Sequence, residues 1–242
     1  YNVILSDTME NVENEVEALT SFVSRKVDGI IAVPVGSSPD YLEEISRSIP
    51  VVLIDRCFMN TTLPYVCTDN YSGAYMATEH LISKGYRNIL AIQGVLTSMP
   101  SKERVRGFLQ AVDDHVGLGV THNVCGDAFS VENGYREAKR ALTGESRPDA
   151  IFAFSTTILL GAIKAIKELG LNIPEDVAII SFDNNRFLDY LDPAVTRVEQ
   201  PVNVVGKLVT DNIIKMVEKD DDIPLSSSQI LIRPTLIEGR SC

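Results

Sequence analysis

Short apolar runs alternate along the chain with segments in which apolar residues recur every three or four positions. Most of the runs are continuous, which is typical of strands buried on both faces of a parallel sheet. The predicted strands are Val3–Ser6, Gly29–Pro34, Val51–Ile54, Asn88–Gln93, Ala150–Phe154 and Val177–Phe182. Repeated strand–helix–strand units of this kind predict an α/β fold with parallel sheets and right-handed crossovers.

The segments between the strands carry apolar stripes at helical spacing. They run from Val12 to Val23, from Ala74 to Ile82, from Ile163 to Leu169 and from Val204 to Val217, and a further helix is predicted at Asn133–Ala141. The second stripe stops at Lys84 and Gly85, a cation and a glycine that suit the carboxyl end of a helix. The last stripe runs into the charged sequence Glu218–Asp222, which we expect to be a solvated helix end.

A boundary between two sequential domains is not visible in the sequence. The nearest candidate for a linker is Leu225–Ser228, which lies close to the end of the chain. If the fold has two lobes, the chain must therefore cross back and forth between them and contribute strands to both.

Composition narrows the classes of function. The 242 residues include 22 Lys and Arg against 33 Asp and Glu, which gives a formal net charge of −11. Such an acidic chain lacks the basic patch on which nucleic-acid binding depends, so we do not expect it to bind DNA unaided. No apolar run approaches the ~18 residues of a membrane span. The chain opens inside a predicted strand, with no initiating Met and no signal peptide, so we expect further sequence before Tyr1.

The four cysteines favour no metal site and no disulfide framework. Cys57, Cys67, Cys125 and Cys242 show no CxxC spacing. Free thiols are most easily kept in a reducing cytoplasm, which is where we expect the protein to act.

Polar residues follow the predicted strands, at the position where parallel α/β sheets bind their ligands. They are Asp55-Arg56, the loop after Gly94 with Ser98, Ser101 and Arg104, then Gly126–Phe129, Ser155–Thr157, Asp183–Arg186 and Glu199–Pro201. This mixture suits a sugar, because Asp accepts from vicinal hydroxyls, Arg donates a bidentate fork and an aromatic face covers C–H groups. A purely structural interpretation is also open, since a strand-end Asp or Ser can simply cap a helix.

Signatures of enzymes are sparse. GxSxG, a P-loop, HExxH and a GxGxxG turn are all absent from the sequence. We therefore expect no catalytic residues, no metal and no cofactor. One enzymatic alternative is that Asp55 and Asp183 act as an acid/base pair on a sugar.

The order and spacing of several short segments resemble those of the lac repressor family. The segments are Val27–Ile31, Ile49–Arg56, Thr68–Asn70, Ala77–Ile82, Gly85–Ile89, Arg104–Phe108, Arg147–Ile151, Ile173–Val177, Ser181–Asn184 and Gln200–Pro201. The resemblance covers essentially the whole chain. It points to the effector-binding core of such a transcriptional regulator, related to the periplasmic ribose-binding proteins.

The resemblance implies a two-lobe fold in which each lobe is a parallel sheet flanked by helices, joined by three crossovers. The N-terminal lobe would hold residues 1–67 and 202–229, and the C-terminal lobe residues 68–200 and 230–242. The family's first strand, first helix and helix-turn-helix are missing from this sequence. The resemblance further implies a homodimer that binds operator DNA through that absent helix-turn-helix.

The resemblance also assigns site residues. Asp55 and Arg56 match the pair that holds sugar hydroxyls in ribose-type binders. Arg104 matches an arginine that closes onto the ligand from the second lobe, and Ser98 lies in the same polar segment. All four are expected to bind the effector.

Four further site residues come from the second half of the chain. Phe129 matches a stacking aromatic, while Asp183 and Gln200 match a late carboxylate and amide. Ser155 stands where many members of the family have Asn, so the effector or a bridging water must differ at that point.

The functional hypothesis is a cytoplasmic, sugar-responsive regulator core in which an effector between the lobes shifts their closure and so the affinity for operator DNA. The alternative is a periplasmic sugar-binding protein that serves a transporter. Four unpaired cysteines disfavour a periplasmic location.

Overall fold

The chain folds into two structural units. In the computed structural model, which describes residues 1–218 and 228–242, unit 1 comprises Tyr1–Thr68 and Val202–Ile232, and unit 2 comprises Asp69–Pro201 and Arg233–Cys242. The chain therefore passes between the units three times. The predicted linker Leu225–Ser228 and the charged run Glu218–Asp222 lie outside the described residues, apart from Ser228 and Glu218.

The elements alternate between strand and helix over most of the chain. The strands are β1 (Ile30–Ala32), β2 (Val51–Ile54), β3 (Tyr65–Thr68), β4 (Asn88–Ile92), β5 (Thr121–Cys125), β6 (Ala150–Ala153), β7 (Ala178–Phe182), β8 (Thr196–Glu199), β9 (Gln229–Ile232) and β10 (Thr235–Ile237). The α-helices are α1 (Val12–Ser24), α2 (Asp40–Ser46), α3 (Asn70–Ser83), α4 (Met99–Asp114), α5 (Val131–Leu142), α6 (Thr156–Glu168) and α7 (Val202–Glu218).

Each unit is built on one sheet. The strands of unit 1 are all parallel, in the order β1-β2-β3-β9. The strands of unit 2 follow the order β10-β8-β7-β6-β4-β5 and are parallel except for β10, which runs antiparallel to β8. The predicted α/β fold with parallel sheets and helical crossovers is therefore confirmed, with β10 as an antiparallel edge strand.

The predicted strand Val3–Ser6 is wrong. Among the described residues this segment pairs with no strand, and Val3 and Leu5 are 90% and 93% exposed. A strand is stabilised by hydrogen bonds to a neighbouring strand and by burial of its side chains, and here neither is present. Apolar sequence alone was therefore not sufficient to specify a strand.

The sequence pattern also missed strands at or near sheet edges. β5 begins Thr121-His122-Asn123, which is exposed and polar because it lies at the edge of its sheet. β9 pairs with β3, so residues 230–232 belong to unit 1 and not, as predicted, to the C-terminal lobe. The edge strand β5 lacks the continuous apolar run that marks a central strand.

The core of unit 2 lies on both faces of its central strands. Every residue of β6 and β7 is buried, as the continuous apolar runs predict. The Phe152 ring packs edge-on against Phe154 with the centroids 4.8 Å apart, and Phe154 packs in the same manner against Phe108. Helix α3 ends where predicted, with Lys84 as C-cap and Gly85 at φ +101°, a conformation that favours glycine.

Helices α5 and α6 approach each other so closely that side chains are excluded from the contact. A Cβ at Gly161 of α6 would lie 2.0 Å from the carbonyl oxygen of Val131, and one at Gly134 of α5 would lie 2.0 Å from that of Ile158. Both clashes are with backbone, which cannot rotate away.

We expect Gly161→Ala to destabilise the protein by about 1–3 kcal/mol, the usual cost of overpacking a well-packed core. The measurement is urea unfolding followed by circular dichroism. Gly117→Ala is the matched control, because a Cβ at Gly117 meets no atom within 4 Å. Equal stability of the two variants would contradict the close helix packing.

Candidate functional site

The candidate residues of unit 2 lie along one edge of its sheet. Ser155 follows β6, Asp183 follows β7 and Gln200 follows β8, while Ser98 and Phe129 lie beyond β4 and β5. These strands are parallel neighbours in the order β8-β7-β6-β4-β5. Their carboxyl ends therefore meet at the same edge, where α/β sheets bind ligands.

Arg104 lies buried at this edge, with 4% of its surface exposed. Its Nε donates to Oδ1 of Asn70 at 2.8 Å, and its Nη1 donates to the carbonyl oxygen of Phe154 at 2.5 Å. The guanidinium carbon lies 3.7 Å from the centroid of the Phe182 ring. Nη2 is 3.7 Å from Oδ1 of Asp183, which is ion-pair distance and longer than a hydrogen bond. The charge is thus held by an amide, a carbonyl, a ring face and a carboxylate.

Arg104 lies on a helix and not in the predicted polar loop. Helix α4 begins at Met99, so Ser101 and Arg104 occupy its first two turns, with Ser98 as the N-cap. Pro100 suits this position because the N–H groups of a first helical turn have no partner within the helix. The polar residues at the start of α4 resemble a loop in the sequence because they are the part that reaches the candidate site.

Two serine hydroxyls at the start of α4 have no hydrogen-bond partner in the described part of the chain. The Oγ atoms of Ser98 and Ser101 are both buried, and Ser98 makes no side-chain bond to the helix that it caps. A buried hydroxyl without a partner is costly, and native proteins have few of them. These two groups therefore keep their bonding capacity for a ligand or for solvent.

Ser155 is used by the fold. Its Oγ accepts from the backbone N–H of Ile158 at 3.3 Å and so caps α6. The same oxygen lies 2.9 Å from Oγ1 of Thr157, which in turn donates to the carbonyl oxygen of Phe129 at 3.1 Å. The capping interpretation accounts for Ser155, and an effector contact from it stays a prediction.

Asp183 adopts an uncommon backbone conformation. Its φ is +76°, in the left-handed region that residues with a side chain rarely adopt. Nε2 of Gln200 donates to its Oδ1 at 2.5 Å, and its side chain is 30% exposed. The next helical segment, the 3-10 helix Arg186–Tyr190, begins after Asn185. Asp183 therefore does not cap a helix.

The ring of Phe129 rests on Gly94. A Cβ at Gly94 would lie 2.2 Å from the ring, so only glycine allows this approach. The backbone around Phe129 is held by Asn133, whose Nδ2 donates to the carbonyl oxygens of Gln93 at 3.0 Å and Ala128 at 2.6 Å. The aromatic ring is thus fixed at the carboxyl end of β4.

Arg197 fixes the segment that carries Asp183. It is buried on β8, and its Nε donates to Oδ1 of Asn184 at 2.6 Å. Its Nη2 donates to Oδ1 of Asp189 at 2.7 Å. Because Asn184 directly follows Asp183, this guanidinium anchors the turn after β7 to the neighbouring strand.

The candidate residues of unit 1 follow β2. Asp55 has a φ of +65°, and the N–H of Arg56 donates to the carbonyl oxygen of Ile54 at 2.7 Å, so the three residues form a γ-turn. The Arg56 guanidinium donates to both carboxylate oxygens of Glu10, at 2.7 and 2.8 Å. Arg56 is thus held in place by Glu10, a residue that no sequence motif indicated.

The chain is similar to known proteins over its whole length. Residues 78–242 match the periplasmic binding protein-like domain. The HTH-type transcriptional repressor PurR of Klebsiella pneumoniae is 32% identical over 248 residues, which cover 100% of this chain and 71% of that protein. The ribose operon repressor of Halalkalibacterium halodurans is 33% identical over 219 residues, covering 90% of this chain and 64% of that protein.

Similarity to solved structures extends over the same length. A periplasmic binding protein/LacI transcriptional regulator from Alkaliphilus metalliredigens, crystallised with D-xylulofuranose, aligns with a TM-score of 0.82 at 27% identity, covering 100% of this chain and 87% of the other. The chain belongs to the lac repressor family. It corresponds to the effector-binding core of these transcriptional regulators, as the sequence motifs indicated.

Membership of the lac repressor family bears on the alternatives. The curated relatives are transcriptional repressors and not enzymes, which favours a regulator over an enzyme acting on sugars and over the binding protein of a transporter. No helix in the described ranges is long and apolar enough to cross a membrane.

Several residues that build the site were not identified from the sequence. Asn70 and Asn133 are buried amides in the first turns of helices, and Arg197 is a buried cation within a mostly buried strand. The sequence carries one usable signal, because Asn70 belongs to the family segment Thr68–Asn70. Asn133 and Arg197 act on backbone and neighbouring side chains, which no local pattern reveals.

We expect Asn70→Ala to destabilise the protein by about 1–3 kcal/mol, because it leaves a buried donor of Arg104 without its acceptor. Asn70→Asp keeps an oxygen acceptor beside the guanidinium and should lose less. Both are measured by urea unfolding. Equal instability of Asn70→Asp and Asn70→Ala would show that Asn70 does not stabilise the protein through its hydrogen bond to Arg104.

Proposed function

We propose that this chain binds a neutral monosaccharide, which acts as the effector of a lac repressor family transcriptional regulator. The observation that carries the proposal is the cluster of Arg104, Asp183, Gln200 and Phe129 at one edge of the unit 2 sheet. A carboxylate, a guanidinium, an amide and an aromatic ring are the groups that bind hydroxyls and the C–H face of a sugar ring.

The side chains at this edge of the sheet have different chemical roles in the proposal. Asp183 has one oxygen bonded to Gln200 and retains lone pairs that accept from vicinal hydroxyls. Ser98 and Ser101 supply hydroxyls that both donate and accept. The Phe129 ring stacks on the apolar face of the sugar. The D-xylulofuranose bound to the Alkaliphilus relative supports this class of ligand.

The charges favour a neutral sugar over a sugar phosphate. Arg104 lies at 3.7 Å from the Asp183 carboxylate, and Arg56 makes a two-bond contact with Glu10. Each candidate arginine thus has an anionic partner already, so a phosphate would meet a carboxylate as well as a guanidinium. A sugar hydroxyl donates to the carboxylate and accepts from the guanidinium, and it carries no charge that the carboxylate would repel.

Asp55 and Arg56 of unit 1 are proposed to contact the same effector. An effector shifts a conformational equilibrium only if it binds one state more tightly than the other. We further propose that the full-length regulator acts in the cytoplasm as a homodimer. Its twofold symmetry would match two half-sites of operator DNA that helix-turn-helix segments contact.

A thermal-shift panel tests the proposal. Aldopentoses, ketopentoses, hexoses, their phosphates and free nucleobases are each added to the purified chain. We expect one neutral sugar to raise the melting temperature, because a ligand at a hundred times its Kd adds about 2.7 kcal/mol to native-state stability. A response to nucleobases or sugar phosphates alone would contradict a neutral sugar, since a planar base also stacks on an aromatic ring.

We expect Asp183→Asn to weaken binding of the responding sugar by about ten- to a hundredfold, because a hydrogen bond to a charged group contributes about 1.5–3 kcal/mol. The measurement is isothermal titration calorimetry. Asp192→Asn is the control, because the Asp192 side chain is 92% exposed and pairs only with Arg240 in the described part of the chain. Unchanged affinity in Asp183→Asn would remove this carboxylate from the site.

A further inference from the structure

Two of the four cysteines lie together in unit 1. Cys67 is on β3 and Cys57 is in the segment after β2, and both side chains are buried. The two thiols are hydrogen-bonded to each other. The other two, Cys125 and Cys242, belong to unit 2.

The contact between the thiols is a consequence of the local fold. Strands β2 and β3 are parallel neighbours, with Ile54 opposite Val66. The N–H of Asp55 donates to the carbonyl oxygen of Val66 at 3.3 Å, and the γ-turn at Asp55 follows at once. The chain therefore turns at the end of β2 beside β3, which brings the Cys57 side chain to the thiol of Cys67.

We propose that Cys57 and Cys67 are a redox-sensitive pair that hydrogen peroxide converts to a disulfide. The Cys57 thiolate attacks one oxygen of the peroxide, the O–O bond breaks and hydroxide leaves, which gives a sulfenic acid on Cys57. The Cys67 sulfur then attacks the Cys57 sulfur, the S–S bond forms and the sulfenic oxygen leaves as water. In total, two thiols and one peroxide give one disulfide and two waters.

Accessibility decides the order of the two thiols. Cys57 retains 7% exposure while Cys67 is completely buried, so a small oxidant meets Cys57 first. The contact with Cys57, burial and the charge of Asp55 all raise the pKa of the Cys67 thiol, which keeps it protonated until Cys57 has reacted. The barrier posed by burial makes the pair slow to react, and transient disulfides of this kind are the ones found in reducing compartments.

The disulfide would restrain the turn that carries Asp55 and Arg56. Cys57 directly follows Arg56, so a covalent bond from Cys57 to β3 fixes the position of that turn. Formation of the disulfide rests on unit 1 alone. The restraint on the turn is measured separately from the formation of the disulfide.

The experiment treats the reduced protein with hydrogen peroxide in native buffer and then alkylates it with N-ethylmaleimide in denaturant. We expect two of the four thiols to resist alkylation, an intact mass lower by about 2 Da before alkylation, and a peptide map that links Cys57 to Cys67. Dithiothreitol should restore all four thiols. No disulfide in the folded protein, or one that joins any other pair, would overturn the proposal.

Single-cysteine substitutions distinguish the thiol that reacts with peroxide from the thiol that then attacks the sulfenic acid. Cys67→Ser should accumulate a sulfenic acid on Cys57 that dimedone traps, while Cys57→Ser should give no disulfide and no trapped species at position 67. The double variant Cys125→Ser/Cys242→Ser is the matched control and should form the link as the unsubstituted protein does. If a buried serine impairs folding of a variant, peptide mapping of the unsubstituted protein still shows whether Cys57 and Cys67 are linked.

Hydrogen–deuterium exchange reports the consequence in unit 1. We expect slower exchange at residues 55–58 in the oxidised protein than in the reduced protein, and no change in the Cys57→Ser variant after peroxide. Equal exchange in the oxidised and reduced forms would overturn the restraint on the turn. A failure of sugars to bind would leave the cross-link itself standing, so the two proposals fail independently.

Discussion

The burial of the Arg104 guanidinium is the constraint on which the candidate site of unit 2 depends. A charge removed from water is stable only if its donors are bonded and its charge is compensated. Arg104 donates one hydrogen bond to Asn70 at the start of α3 and another to the carbonyl oxygen of Phe154, directly after β6. The Phe182 ring at the end of β7 and the carboxylate of Asp183 directly after it compensate the positive charge. One side chain thereby ties α4 to a helix and two strands.

The same constraint explains why Asp183 is suited to a ligand. An oxygen at 3.7 Å from the guanidinium is attracted by its charge without being saturated by a direct bond. Gln200 occupies one position on that oxygen, and the side chain remains 30% exposed. The carboxylate is therefore oriented by the fold and still has acceptor capacity. Arg197, through Asn184, limits the freedom of the turn that carries it.

The sequence predicted the parts of the fold that depend on burial from both sides. The central strands β2, β4, β6 and β7 coincide with the apolar runs to within a residue or so at each end, because burial on both faces leaves no polar alternation. Val3–Ser6 was wrong because pairing with a neighbour, and not composition, makes a strand. The start of α4 resembles a loop in the sequence because its residues are polar.

The candidate site was predictable to the extent that topology determines it. Strand-end positions identified Asp183 and Gln200, since parallel strands end at a common edge. The partners Asn70, Asn133 and Arg197 were not identified, because they act through contacts between residues that are distant in sequence. Ser155 lies at a strand end for a different reason, which is to cap α6. The position of a residue at a strand end therefore predicts that it lies at this edge of the sheet. It does not tell whether the residue binds the effector or stabilises the fold.

The two aspartates share a strained backbone conformation. Asp55 and Asp183 each follow a buried strand and each adopt a positive φ, at +65° and +76°. Such conformations cost about 1–3 kcal/mol for a residue with a side chain, whereas glycine adopts them readily. Folding alone would therefore favour glycine at both turns. Both carboxylates stand directly after buried strands, the position at which α/β sheets bind ligands, and that of Asp183 in addition compensates the buried guanidinium of Arg104.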